Sequence, residues 1–364
     1  MTGPPSGPTR VGLVIGQLSA GGAEGQLWLL CRELLRAGAA TPIVYCLSDQ
    51  VEPYRARIEA TETVVRVITG NRLGRLTTLR RCLNADRIDV VHAWLFIANA
   101  FAWMANVGRH CPLITSARNC KRQGRLLDAL NRRAFAASNA IVVNSQEVAG
   151  YIERIYNAPR DRIAVIYNAV DTDRFHPAAE TEHHPPCVMM IGRLVAQKNP
   201  ALFLRAAAAI RTQVPATHFR IVGDGPLRAE VESQISALGL RECVEVMRER
   251  GDVPELLRQT DVLWLTSDWE GLPNVVLEAM ASGVPVVATD VGGTREVLHD
   301  REGGFVIPPG DCNALVSRSL PLLTDGALRR RFSVAARARA QAFAPARMAS
   351  QMLALYQRLI EPSA

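Results

Sequence analysis

Short runs of aliphatic and β-branched residues recur along the chain, and longer stretches with apolar residues three and four apart separate most of them. In the first half the runs at 11–18 (VGLVIGQL), 41–48, 64–69, 88–94, 112–118, 140–145 and 163–168 are predicted strands. In the second half those at 187–194, 218–224, 244–247, 261–267, 285–290 and 303–307 are predicted strands. The stretches 24–37 and 125–137 are the clearest predicted helices. Strands this continuously apolar, alternating with amphipathic helices, predict parallel sheets covered on both faces. Residues 176–186 (HPAAETEHHPP) interrupt the pattern with Pro, His and Glu and read as a linker. A final helix spans 345–360, with Met348, Met352, Leu355 and Leu359 on one face, read as core. The expected architecture is α/β, two doubly wound Rossmann-like domains with no repeat between them. Residues 1–9 form a flexible N-terminus, 10–175 the first domain and 187–340 the second. Residues 341–364 are expected as a C-terminal helix crossing back to the first domain.

Composition narrows the function classes. The chain has 364 residues, 48% hydrophobic and 21% charged, enough for two full cores. That excludes a disordered chain and a disulfide miniprotein. No apolar run reaches about 18 residues, so no membrane-spanning helix is expected. No export signal is expected from the polar, Gly/Pro-rich start, and the eight cysteines show no CxxC or zinc-ligand spacing. A reduced cytoplasmic chain without a structural metal is expected. His183 and His184 read as solvated linker residues.

The net charge of +7 lies in the first half, where residues 1–180 hold 22 Lys+Arg against 15 Asp+Glu. Two stretches concentrate it: Arg66, Arg72, Arg75, Arg80, Arg81 and Arg87, then Arg109, Arg118, Lys121, Arg122, Arg125, Arg132 and Arg133. They suit an anionic partner such as a membrane surface or a phosphorylated substrate; a solvated helix face is the alternative. Stacking aromatics are sparse and no nucleic-acid module is present, so no nucleic-acid partner is expected.

In open α/β sheets ligands bind beyond the carboxyl ends of the strands, and four such loops carry chemistry here. Gly21, Gly22, Ala23 and Glu24 follow the first strand and precede a helix whose N–H groups suit an anion; a tight turn is the alternative. Gly192, Arg193, Leu194 and Lys198 follow strand 187–191. Lys198 is one of two lysines in a chain that otherwise uses arginine, and with Arg193 it suits a diphosphate clamp; chance retention of the lysine is the alternative. Gly223, Asp224, Gly225 and Pro226 form a sharp turn, with a structural role as the simpler reading. Last, Glu270, Gly271, Leu272, Pro273, Asn274, Val275 and Glu278 place a carboxylate ahead of a helix start and another about one turn inside it. Backbone N–H groups at Asn274 and Val275 would take phosphate, and the two acids would accept hydrogen bonds from sugar hydroxyls; a capping Glu and a surface Glu are the alternative for either acid alone.

These residues together resemble the retaining glycosyltransferases of family 4, group 1, over about residues 11–360. The resemblance rests on GGAE at 21–24, NAVDTDRF at 168–175, GRLVAQKNP at 192–200, VGDGPLR at 222–228, DVPELL at 252–257 and EGLPNVVLEAMASGVPVVATDVGG at 270–293. It implies the GT-B fold, with the active site in the cleft between the domains, and transfer of a hexosyl or N-acetylhexosaminyl group from a nucleoside-diphosphate sugar, by preference a UDP-sugar. The acceptor would be a hydroxyl of a lipid-linked or polysaccharide chain, reached from the inner face of the cytoplasmic membrane. It implies that Glu270 and Glu278 are the acids of an E-x7-E motif, contacting donor sugar and ribose. Arg193 and Lys198 would hold the diphosphate, Gly22 would let the first loop approach it, and no metal or other cofactor would be needed.

Departures from the family pattern fall on the acceptor side. The usual T-x-H segment reads Thr115, Ser116, Ala117, Arg118, and Trp94 stands where a second histidine is frequent. His92, in VVHAW, is then the candidate acceptor-side and catalytic histidine, with Arg118 beside it; a core-edge residue is the alternative reading of His92. Tyr167, Asn168 and Ala169 replace the usual Pro-Asn-Gly hinge. Base selection is expected around 246–253. A sugar-nucleotide epimerase, an oxidoreductase using Asp49 on a ribose, and a decayed donor-binding subunit are the rival readings. The oxidoreductase lacks the GxGxxG fingerprint.

Overall fold

The structure, a computed structural model, describes residues 7–178, 185–248 and 251–361. His183 and His184 of the expected linker, and residues 249 and 250 of the expected base-selecting segment, lie outside the described residues. The chain divides into two compact units, Met1–Ala169 with Pro345–Ala364, and Val170–Ala344.

The first unit holds seven parallel strands: β1 (Thr9–Ile15), β2 (Ala40–Cys46), β3 (Val64–Val67), β4 (Val90–Trp94), β5 (Leu113–Ala117), β6 (Ala140–Val143) and β7 (Ile163–Val165). Their order is β3-β2-β1-β4-β5-β6-β7. Both faces are buried, as the continuous apolar strands require. Val11, Leu13 and Ile15 of β1 meet Leu27 and Leu30 of helix Gly22–Arg36, with Met352 and Leu355 of helix Pro345–Ile360. Val14 points the other way, into a cluster with Tyr45, Val91 and Ala98.

The second unit holds β8 (Cys187–Ile191), β9 (His218–Val222), β10 (Val244–Met247), β11 (Val262–Leu265), β12 (Val286–Thr289) and β13 (Gly304–Ile307). All pairs are parallel, in the order β10-β9-β8-β11-β12-β13. Its core is built around Trp264 of β11, whose ring lies 5.2 Å from Phe203 and 5.9 Å from Phe219. The indole N–H donates to Ser319 Oγ at 2.8 Å, so the polar edge is satisfied inside the core.

Two sequence expectations shift. Several strands end two or three residues earlier than the apolar runs suggest. Leu18 and Ile68 lie past the ends of β1 and β3, yet both are buried. Loop residues that fold back into the core look like strand in the pattern. The boundary expected after residue 175 falls at Ala169/Val170. Val170 N–H donates to Phe343 O at 2.9 Å, Phe175 is buried, and Arg337 Nη1 donates to Phe175 O at 2.7 Å. Residues 341–344 likewise belong to the second unit, and Pro345–Ile360 to the first.

In each sheet the winding reverses at one place, between β1 and β4 and between β8 and β11. Loops leaving adjacent strands in opposite directions open a crevice at such a switch point. Gly21–Glu24 follows β1 and Trp94 ends β4; Gly192–Lys198 follows β8 and Ser267–Pro273 follows β11. Among the described residues, no helix is long and apolar enough to cross a membrane.

Candidate functional site

The second unit's switch point carries the densest polar geometry. Gly192 has φ +153° and its N–H donates to Val222 O at 2.9 Å. A Cβ there would come within 3.1 Å of Lys198 Cε, so the glycine makes room for the lysine stem. Lys198 ends a short 3-10 turn, and Asn199, with φ +45°, caps the next helix by accepting from Leu202 N–H at 3.0 Å. The Asn199 amide also donates to Asp268 Oδ1 at 2.9 Å. Thr266 Oγ1 donates to Lys198 O, and Gln197 Nε2 to Trp269 O. These bonds lace the loop after β8 to the loop after β11.

Lys198 Nζ then meets Glu270 Oε1 at 2.5 Å, and Ser267 Oγ donates to the same oxygen at 2.7 Å. Both side chains are largely buried, 19% and 9% exposed, which makes this more than a surface pair. Arg193, the other half of the expected clamp, is exposed and has no side-chain partner among the described residues. The carbonyls of Glu270 and Gly271 close over Gly292, at 2.6 Å from where a Cβ would stand. Gly293 N–H donates to Gly271 O at 2.7 Å. The DVGG segment is therefore the floor of the acidic loop.

Helix Asn274–Ala281 starts behind Pro273 with no side-chain cap and no acid in its first turn, an arrangement suited to an external anion. Gly271, Leu272 and Val275 are buried, and Asn274 is partly buried. Glu278 lies one turn in and is partly buried; burial lifts its carboxyl from 4.5 to about 7, against the pull of Arg174. It forms no hydrogen bond or ion pair with Lys198 or Glu270. The GDG turn is structural: a Cβ on Gly223 would collide with Gly192 O, and one on Gly225 with the Leu194 backbone.

In the first unit Gly22 opens helix Gly22–Arg36 behind Gly21. The Glu24 carboxylate folds against Gly21, close to where a Cβ would stand. Glu24 is itself buried.

His92 takes a core position, the alternative given for it in the sequence. It is fully buried in β4, its Nδ1 shares a 2.8 Å hydrogen bond with Tyr356 Oη, and burial followed by Arg118 lowers its pKa to about 3. With the ring fully buried, neither nitrogen is exposed at the surface. Arg118 lies beside it, 7% exposed, with its Cζ 3.7 Å from the Trp94 ring centroid.

The basic stretches separate into two kinds. Arg66 is bound bidentately by Asp86, and Arg80 and Arg109 donate to main-chain and amide oxygens. Arg72, Arg81, Arg87, Lys121, Arg122, Arg125 and Arg133 are exposed without side-chain partners among the described residues. Leu73 (75%) and Leu126 (68%) are exposed among them. Sequence reasoning missed Ser267, Gln197 and Arg174. Ser267 ends a predicted strand and stands three residues before Glu270, but a serine there is unremarkable without the fold. Among the described residues no cluster of three or more His, Cys, Asp or Glu side chains has metal-binding geometry.

Two sequence-family comparisons cover most of the chain. The family described as Glycosyltransferase Family 4 matches residues 20–174, and that described as Glycosyl transferases group 1 matches residues 171–339. A UDP-Gal:alpha-D-GlcNAc-diphosphoundecaprenol alpha-1,3-galactosyltransferase of Escherichia coli is 27% identical over 275 residues, covering 70% of this chain and 71% of that one. An N-acetylgalactosaminyltransferase of Campylobacter jejuni that acts on an undecaprenol-diphosphate-linked sugar is 26% identical, covering 88% and 90%. Among solved structures, Anabaena HepE in complex with UDP superposes with a TM-score of 0.86 at 20% identity, covering 96% of this chain and 100% of that one.

Proposed function

The chain belongs to the family 4, group 1 glycosyltransferases, and from that membership we propose that it moves a hexosyl or N-acetylhexosaminyl group from a UDP-sugar to a hydroxyl of a lipid-linked saccharide. The observation that carries this reading is the Lys198–Glu270 pair at the switch point of the second sheet. Both relatives named above act on diphosphate-linked lipid acceptors, and HepE binds UDP.

In this reading the donor diphosphate takes over Lys198 from Glu270 and draws in Arg193, while the uncapped start of helix Asn274–Ala281 supplies backbone N–H groups. Glu270, released from the lysine and still held by Ser267, accepts hydrogen bonds from the donor sugar. Glu278 accepts them from the ribose. The bond from the anomeric carbon to the diphosphate oxygen breaks, and the acceptor oxygen bonds to that carbon on the same face. The acceptor proton passes to the departing diphosphate, so configuration is retained. Lys198 and Arg193 stabilise the charge growing on the leaving group, the work a divalent metal does elsewhere. Transfer therefore proceeds in EDTA.

The exposed arginines around Leu73 and Leu126 would hold the first unit against anionic lipid, where such an acceptor resides. The test is a transfer assay with UDP-hexoses and UDP-N-acetylhexosamines and a short-chain lipid diphosphate sugar, with EDTA. Acceptor-dependent UDP release with an α-linked product supports the reading. Isomerised donor without acceptor points to an epimerase, and donor binding without release points to a decayed subunit.

A further inference from the structure

At the carboxyl ends of β4, β5 and β6 the first unit buries a polar cluster that its own residues leave incomplete. Arg118 Cζ lies 3.7 Å from the Trp94 ring centroid, and its Nη1 donates to Asn168 Oδ1 at 2.8 Å. Its Nε and Nη2 are buried and have no partner among the described residues. These two N–H groups form the side-on fork of a guanidinium. Arg66 uses the same pair to grip Asp86, Nε to Oδ2 at 2.6 Å and Nη2 to Oδ1 at 2.5 Å. Around Arg118, His92 Nε2 and Trp94 Nε1 are also buried and unpartnered, as are the amide oxygens of Asn119 and Asn144. Asn144 Nδ2 donates to Arg118 O at 3.4 Å, and His92 is seated on Tyr356.

A structural arginine in this chain behaves differently. Arg162 donates to Ala136 O and Ser138 O, closing the ends of main-chain segments. Arg118 instead keeps its fork open, and no carboxylate among the described residues balances it. Burial pulls its pKa down to about 9, offset only by the Tyr356 phenol. Trapped water could satisfy the polar atoms but would not neutralise the charge. Asn119 and Cys120, next in the chain, are partly exposed, so the cluster lies close beneath the surface.

We propose that the Arg118 fork, on its Trp94 platform, is a binding site for a monoanionic group that presents two oxygens, a carboxylate or a diester-type phosphate of a substrate. The count of charges sets the valence: one guanidinium, and a histidine that stays neutral to about pH 3. Two sources carry such a group, a hexuronic sugar and the diphosphate linkage of a lipid acceptor. That the group arrives on a substrate rests on the glycosyl-transfer reading; that an oxyanion fits the fork does not.

The experiment is calorimetric titration of the full chain, with and without saturating UDP. Two charged probes, a methyl glucuronide and a citronellyl diphosphate sugar, are each set against a neutral counterpart, methyl glucoside and citronellyl glucoside. At least one charged probe is expected to bind about tenfold or more tightly than its neutral partner, and the one that does identifies the source. Arg118→Gln should erase the preference, and Arg118→Lys, which keeps the charge without the fork, should restore part of it. No charged-over-neutral preference in the unaltered protein overturns the proposal, whether or not the variants fold. A preference that survives Arg118→Gln in a folded protein also overturns it. UDP binding is read separately: its absence counts against glycosyl transfer, and the charged-over-neutral comparison decides the Arg118 site either way.

Discussion

Lys198 Nζ and Glu270 Oε1 meet at 2.5 Å across 72 residues of sequence, joining the loops that leave β8 and β11. In the proposed reading the acid occupies the cation that a donor diphosphate would take. Removing its charge should separate binding from chemistry. Glu270→Gln is expected to bind UDP about three- to tenfold more tightly, because Lys198 no longer has an anionic competitor. The same variant should transfer sugar about 100-fold more slowly. Titration with UDP and a steady-state transfer assay on one preparation check this. Weaker UDP binding would mean that Glu270 supports the nucleotide rather than competing with it.

Glu278 couples the site to pH. A carboxyl whose folded-state pKa is raised from 4.5 to about 7 keeps its proton where the unfolded chain has lost it. Its contribution to stability is therefore full below about 4.5, falls as the pH rises to about 7, and is level beyond. The loss is about 2 kcal/mol, discounted because the side chain is only partly buried. Glu278→Gln should remove this slope from denaturant-unfolding curves between pH 4.5 and 7. In the proposed reading, where ionised Glu278 accepts ribose hydroxyls, the UDP affinity of the unaltered protein should rise through pH 7. An equal slope in the variant would assign the titration to another group.

Gly223 and Gly239 both have positive φ, +152° and +67°, but only Gly223 faces a neighbouring backbone oxygen. Gly223→Ala is expected to cost more than about 3 kcal/mol, or to abolish soluble expression. Gly239→Ala, with open space around it, should cost only about 1 kcal/mol. Chemical denaturation of both variants measures the difference. Similar values would show that the loop after β8 yields easily and that its packing does not fix Lys198.

Much of this was legible in the chain. Strands buried on both faces announce themselves as continuous apolar runs, so every predicted strand has its counterpart in the two sheets. Lys198 stood out because the chain is otherwise built on arginine, and Glu270 because it precedes a helix that starts with Pro273 and Asn274. Less legible was anything assembled across the fold. His92 looked like a strand-end histidine, yet Tyr356, 264 residues away, seals it inside. The Arg118 cluster draws on the ends of three strands, and no spacing in the sequence connects them.

The exposed cations give a surface prediction. Replacing Arg72, Arg81 and Arg87 with serine removes three charges that have no partners among the described residues. Binding to vesicles with anionic lipid should weaken about tenfold or more at low salt, while UDP binding stays unchanged. Cosedimentation that is indifferent to anionic lipid in the unaltered protein would assign these arginines to solvent.

The central claim is a nucleoside-diphosphate site built on Lys198. Thermal unfolding with UDP in the presence of EDTA, for the unaltered protein and Lys198→Ala, tests it most directly. Ligand at about a hundred times its dissociation constant adds roughly 2.7 kcal/mol to stability. The expected result is that UDP raises the melting temperature of the unaltered protein without metal and fails to raise that of Lys198→Ala. Equal stabilisation of both proteins, or stabilisation by NAD and by no nucleoside diphosphate, would contradict the assignment.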